Sequence, residues 1–178
     1  PMHRDGDIWS VATERLTPGR RYALSVDGPS GGVHRFDPER FVLDPYARSV
    51  ENLGGAREQR WVGVVTEPEA FNWSPKPATK LQDSVIYELH VKGFTKLAEF
   101  VPAPLRGTYA GLAHPNIIAH LQRLGITAVE LLPVQAFTSE THLRRADTTN
   151  YWGYNTLGFF APHADYATAD ARAAGPEA

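Results

Sequence analysis

The sequence contains no cysteine, which excludes a disulfide framework, a thiol nucleophile and Cys-ligated zinc. It also lacks an excess of either charge: 18 Lys and Arg stand against 20 Asp and Glu, a formal net charge of −2 with a pI near 6.4. Electrostatics therefore provide no drive toward nucleic acid or an anionic membrane, and neither is expected as a partner. No apolar run approaches the ~20 residues that a membrane-spanning helix needs. No apolar signal core follows Pro1-Met2-His3-Arg4, so a cytoplasmic protein is expected. The glycine motifs of phosphate-binding loops are missing. The seven histidines have no metal-ligand spacing: His114 and His120 would lie on different helix faces, and His90, His142 and His163 are scattered. Neither a metal nor an organic cofactor is expected.

What is present is a chain of 178 residues, 42% hydrophobic, 21% charged and 11% aromatic, the proportions of a protein able to bury a core. Its 15 glycines and 14 prolines point to many turns and short elements instead of a helical bundle. Residues 8–12 and 20–26 alternate large apolar with small or polar residues on either side of Thr17-Pro18-Gly19, the pattern of two half-buried antiparallel strands around a turn. Tyr22, Leu24 and Val26 would share one face. Residues 36–50 read as a loop, 61–65 as a further strand, and the segment from Glu67 to Pro77, with three prolines, Phe71 and Trp73, as a linker.

Beyond the linker the pattern changes. Residues 85–91 are nearly continuously apolar, as expected of a strand buried on both faces. After a loop over residues 93–113, Pro115 stands at a first helical position, Ile117, Ile118, Leu121 and Leu124 share a stripe, and Gly125 supplies the stop. A second buried strand over 127–132 completes a βαβ unit with parallel strands. No third strand is evident between Val134 and Ala178, and residues 168–178 read as a small-residue run that leads into nothing. Because two parallel strands leave both edges unpaired, the second half reads as the truncated opening of a larger α/β domain.

The densest chemical signal lies at residues 150–160, where Tyr151, Trp152, Tyr154, Phe159 and Phe160 follow a parallel strand. Aromatic faces there suit a sugar, whose C–H groups pack on a ring while Tyr hydroxyls and Asn amides meet its polar edge. The simpler reading makes Trp152, Phe159 and Phe160 core or loop-anchoring residues. Glu88 and Glu130 lie inside apolar strands and read as structurally paired, with Arg106, Lys92 or a histidine as partner. Asp83, Asp147 and Asp165 read as turn or loop residues. His90 fits either a satisfied core residue or the wall of a binding cleft.

Four ordered blocks resemble the glycogen debranching enzymes of the isoamylase type, in glycoside hydrolase family 13: Tyr87-Glu88-Leu89-His90-Val91-Lys92-Gly93-Phe94-Thr95, Arg106-Gly107-Thr108-Tyr109-Ala110-Gly111-Leu112, Glu130-Leu131-Leu132-Pro133-Val134 and Asn150-Tyr151-Trp152-Gly153-Tyr154-Asn155. Arg35-Phe36-Asp37-Pro38 and Leu43-Asp44-Pro45-Tyr46-Ala47 resemble the same family's N-terminal carbohydrate-binding-like β-sandwich, although residues 22–26 lack the Gly and Arg of its corresponding strand. The resemblance implies a partial β-sandwich over 1–66, a linker over 67–82 and the first βα units of a (β/α)₈ TIM barrel over 83–178. It implies a parent enzyme that hydrolyses α-1,6 branch linkages in glycogen or branched maltodextrin, with retention and without a cofactor. A retaining pair of carboxylates must converge to ~5–5.5 Å, and the resemblance places that pair beyond Ala178, so no catalytic residue is expected within this chain. It implies that Tyr154 stacks under the glucose ring, with Trp152 and Tyr151 shaping the pocket. Two alternatives stay open: a trehalose-releasing hydrolase of malto-oligosyltrehalose, and a glucan-binding protein without catalysis.

Overall fold

The computed structural model describes residues 1–55, 58–67 and 71–175. Residues 68–70 of the expected linker and the last three residues of the small-residue run fall outside that set.

The first third of the chain is made of short strands. Strands β1 (His3–Asp5) and β2 (Ile8–Ser10) form an antiparallel hairpin about Gly6, whose φ of 59° is in the left-handed region. Strand β3 (Arg21–Tyr22) is followed by a hairpin of β4 (Ser30–Gly31) and β5 (His34–Arg35), then by β6 (Val50–Asn52) and β7 (Trp61–Val64). The order in the three-stranded sheet is β3-β7-β6, all antiparallel.

The pairing corrects the sequence expectation. Residues 8–10 pair with β1, and residues 21–22 pair with β7, so the two segments flanking Thr17-Pro18-Gly19 are not partners. Alternation marks a strand without naming its neighbour. Here the neighbour is set by Gly63, where a Cβ would come within 2.7 Å of the Tyr22 ring. The missing side chain lets that ring lie across β7. The Tyr22 hydroxyl donates to Asp44 Oδ2 at 2.7 Å, and Arg21 forms a two-pronged pair with Glu51 across the sheet. The expected loop over 36–50 also contributes a bridge, Leu24 to Val42.

The second part begins with a 3-10 turn at Leu81–Asp83, then strand β8 (Ile86–Leu89), helix α1 (Val91–Thr95), helix α2 (Tyr109–Leu112), helix α3 (Pro115–Arg123) and strand β9 (Ala128–Leu131). Strands β8 and β9 are parallel, Ile86 opposite Ala128 through Leu89 opposite Leu131, as the βαβ pattern requires. The helix bounded by Pro115 and Gly125 forms where the sequence places it, with Ile117 and Leu121 buried beside Val101. The expected loop over 93–113 instead holds α1 and α2. Both are single turns capped by side chains, His90 and Thr108, that accept from Gly93 and Gly111 N–H.

Three further expectations are corrected. The β strands are not buried on both faces: of β8 and β9 only Leu89 is buried, and Ile86 keeps 55% of its surface. Tyr87 meets Phe94 of α1 edge-on at 5.6 Å, while Val129 and Leu131 stay exposed. Glu88 and Glu130 are exposed side by side in register and make no ion pair among the described residues. The proposed partner Arg106 spends its guanidinium on the carbonyls of Val101 and Glu99.

A further antiparallel pair exists where none was evident: β10 (Gln135–Phe137) and β11 (Thr156–Pro162), separated by helix α4 (Thr141–Arg145). Gly158, the Phe159-Phe160 doublet and two register irregularities break the period-2 pattern that would have marked them. The small-residue run is partly helical, with α5 (Ala169–Ala174) capped by Thr168. Asp147, expected in a turn, closes α4 at a φ of 53°, a conformation Asp tolerates better than most residues.

Two clusters make the core of this part. One joins Val91, Phe137 and Tyr166, with Tyr109 and Val134 packed against them; the other surrounds α3. The β10–β11 region also touches the loops of the N-terminal part, through Thr138 Oγ1 donating to Gln59 Oε1 at 2.7 Å and through Tyr46 stacked on Phe160 at 5.3 Å.

Candidate functional site

Residues 150–155 run from α4 to β11 and meet His90 and Pro133, which follow the carboxyl ends of β8 and β9, the side where open and closed α/β sheets bind ligands. Two asparagines pin this loop. Asn150 Oδ1 accepts from Gly153 N–H at 2.8 Å, and its amide donates to both carboxylate oxygens of Glu140 at 3.1 and 3.2 Å. Asn155 donates to the Thr138 carbonyl and accepts from the Thr138 N–H, each at 3.1 Å. Between them Gly153 is buried at a φ of 86°, and a Cβ there would meet the Phe137 ring at 3.0 Å and Pro133 at 3.1 Å. Only glycine fits both the dihedral and the space.

The pinned backbone turns three rings outward. Tyr154 is 72% exposed, Trp152 57% and Tyr151 46%. Tyr151 and Trp152 meet edge to face at 5.2 Å. Of the reading of Trp152, Phe159 and Phe160 as core or loop-anchoring residues, the core half is overturned: all three are exposed. Phe160 does serve as an anchor, against Tyr46, and with Phe159, Tyr109 and Pro162 it borders an open pocket of about 240 Å³.

Beneath the loop lies His90, which the sequence left open between core and cleft. The structure makes it a satisfied core residue. Its side chain is buried, and its ring stacks on Tyr151 at 4.3 Å and 7°. Nδ1 accepts from Gly93 N–H at 3.0 Å, so the neutral ring carries its proton on Nε2, which donates to the Tyr151 carbonyl at 2.8 Å. The Tyr166 hydroxyl stands 3.1 Å from the same nitrogen.

A second layer of rings supports the first. Phe137 and His163 stack at 3.6 Å, and Tyr166 packs edge-on to His90, Tyr109 and His163. The Tyr109 hydroxyl donates to the Val134 carbonyl at 2.7 Å and accepts from His163 N–H at 3.0 Å, tying three segments together. Burial pushes the Tyr109 and Tyr166 phenols up to about 12 and the His163 imidazole down to about 4. These groups are held neutral at physiological pH and support the loop without supplying charge.

The chemistry available is that of a sugar platform: exposed ring faces for C–H groups and Tyr hydroxyls for the polar edge. Glu140 is occupied by Asn150, and among the described residues no group of three or more His, Asp or Glu could hold a metal. Also among the described residues, no helix is long and apolar enough to cross a membrane.

Residues 1–47, which hold the short strands β1 to β5, match carbohydrate-binding module 48, the isoamylase N-terminal domain. The relationship extends much further along the sequence. The chain is 41% identical over 195 residues to the "Glycogen operon protein GlgX homolog" of Mycobacterium tuberculosis (strain ATCC 25618 / H37Rv), covering 92% of this chain and 26% of that protein. It is 42% identical over 186 residues to the "Glycogen debranching enzyme" of Yersinia pestis bv. Antiqua (strain Angola), covering 93% of this chain and 28% of that protein. Among solved structures, a pullulanase from Anoxybacillus sp. LM18-11 complexed with maltotetraose superposes with a TM-score of 0.56 at 32% identity, over 72% of this chain and 20% of that one. A putative alpha amylase from Salmonella typhimurium superposes with a TM-score of 0.58 at 26% identity, over 95% of this chain and 24% of that one. The chain is a homologue of the glycogen debranching enzymes of the isoamylase type, and it spans about a quarter of the length of the curated relatives it matches.

Proposed function

We propose that the protein to which this chain belongs is a retaining α-1,6-glucosidase that removes branches from glycogen or branched maltodextrin. Residues 1–66 are its β module, 67–82 a linker, and 83–178 the opening βα units of a (β/α)₈ barrel. Strands β8 and β9 support the barrel assignment: they are parallel and rich in apolar residues, yet Ile86, Val129 and Leu131 are exposed, so their faces and edges call for further strands and helices. The catalytic carboxylates are assigned to later barrel strands; Glu88 and Glu130, mid-strand and side by side, take no part in the reaction.

The observation that carries the reading at the level of the site is the pinned loop with Tyr154 exposed above the strand ends. Tyr154 is the ring that stacks under the glucose at the cleavage point, and Trp152 and Tyr151 bound the pocket. Glucan is the partner; the exposed face of a tyrosine needs no cofactor to hold it. The test uses the full-length protein on a branched maltodextrin. Release of linear maltodextrin, and a Tyr154→Ala variant whose kcat/KM falls by about tenfold to a hundredfold, are expected. Unchanged turnover and affinity in Tyr154→Ala would overturn the role of that ring, and release of trehalose would overturn the debranching assignment.

A further inference from the structure

The geometry points to His90 as a positioning residue that sets the Tyr151–Tyr154 loop for glucan binding. This inference rests on the reading that the loop meets sugar. His90 lies at the junction of β8 and α1, where a β strand ends and its side chain caps the following turn. Capping alone needs one acceptor, and Asn, Asp, Ser or Thr serves that purpose at most helix starts. A histidine does more here. With Nδ1 committed to Gly93 N–H, Nε2 is left as a donor aimed at the Tyr151 carbonyl, while the ring face is covered by the Tyr151 ring. One side chain thereby fixes both the backbone and the ring plane of the first platform residue.

The surroundings leave this contact little freedom. Gly93 gives the Tyr151 hydroxyl its room, since a Cβ on Gly93 would overlap that oxygen. Trp152 packs edge-on to the His90 ring at 6.3 Å, and Tyr166 closes the other side at 5.5 Å. Downstream, Gly153 N–H is held by Asn150, so the segment between Tyr151 and Tyr154 is anchored at its start by His90 and at its middle by Asn150. His90 is 7% exposed and touches no substrate itself; its effect passes through Tyr151.

Two substitutions in the full-length protein separate the two bonds. His90→Asn keeps an acceptor near the position of Nδ1 and removes the donor to Tyr151; His90→Gln keeps a donor near the position of Nε2. His90→Asn is expected to raise KM for a branched maltodextrin about tenfold while kcat changes less than about threefold, and His90→Gln is expected to recover KM to within about threefold of the parent. Hydrogen exchange of a peptide covering 150–155 should quicken in His90→Asn and return toward the parent rate in His90→Gln, with the α3 peptide unchanged in both. Identical behaviour of the two variants, an unchanged loop exchange rate, or faster exchange throughout α3 would overturn the inference. If the parent neither hydrolyses nor binds branched glucan, the proposed function falls and the glucan role of His90 falls with it; the exchange rates still decide whether His90 orders the loop.

Discussion

Lowering the pH should weaken the support beneath the aromatic loop through one identifiable group, His163. Its side chain keeps 14% of its surface, its ring lies on Phe137, and its proton affinity is pushed down to about 4, first by burial and then by Lys92 and His90, with Asp165 opposing. In an unfolded chain an imidazole titrates near 6.5. Between these two values the unfolded chain binds the proton and the folded one does not, so stability falls as pH drops from about 6.5 to about 4. Above 6.5 both states are neutral and the group contributes no pH dependence; below about 4 both are charged and the loss is complete.

The full difference corresponds to at most about 3 kcal/mol, and solvent screening at a partly wetted ring lowers it to about 1–2 kcal/mol. NMR titration of the His163 imidazole in the full-length protein reads the midpoint directly, and denaturant melts of the parent against His163→Phe isolate the group from the carboxylates that titrate nearby. Phe keeps the stack on Phe137 and cannot charge, so the stability difference between the two proteins should shift by about 1–2 kcal/mol in favour of the variant between pH 7 and pH 4. A midpoint at 6 or above, or a difference that does not change with pH, would refute the reasoning.

The remaining predictions concern the loop and the β module. Gly153→Ala should destabilise by about 2–3 kcal/mol, because the left-handed backbone and the crowding by Phe137 and Pro133 act together; a melt within 0.5 kcal/mol of the parent, on the order of ordinary surface changes, would contradict it. Gly93→Ala should leave stability within about 1 kcal/mol, since helix propensity favours alanine by that amount, yet it should displace Tyr151 and raise KM for branched glucan. Tyr22→Phe should cost about 1–2 kcal/mol in thermal or denaturant melts through loss of the bond to Asp44. Ultraviolet titration should find Tyr22 ionising only at about 12, because burial and the Asp44 charge both oppose the phenolate.

The local rules of the chain carried a large share of this structure. Pro115 and Gly125 bound a helix because one lacks an N–H that the first turn does not need and the other adopts a φ of 75° at the exit. The β-branched and aromatic run around Tyr87 makes a strand, and the length between it and the strand ending at Leu131 forces a parallel crossover. The aromatic density at 150–160 likewise marked the candidate site, since side-chain chemistry is written in the sequence directly.

Tertiary structure decided the partners and the exposures. Which strand Tyr22 joins depends on Gly63, some forty positions away, and no local pattern encodes that distance. The β10–β11 pair exists through contacts between Phe137 and Thr156 and between Ala136 and Gly158 that bulges shift out of any regular alternation. Trp152, Phe159 and Phe160 face outward because the asparagines, Gly153 and the sheet register set the backbone before hydrophobicity can place the rings. His90 gains its second role only because Tyr151, sixty-one residues later, comes to lie on it. Sequence alone thus determined the β8-α3-β9 unit and the chemistry its side chains carry, through short-range sterics and composition; the fold alone determined the remaining elements and which side chains meet, because that depends on contacts between residues far apart in the chain.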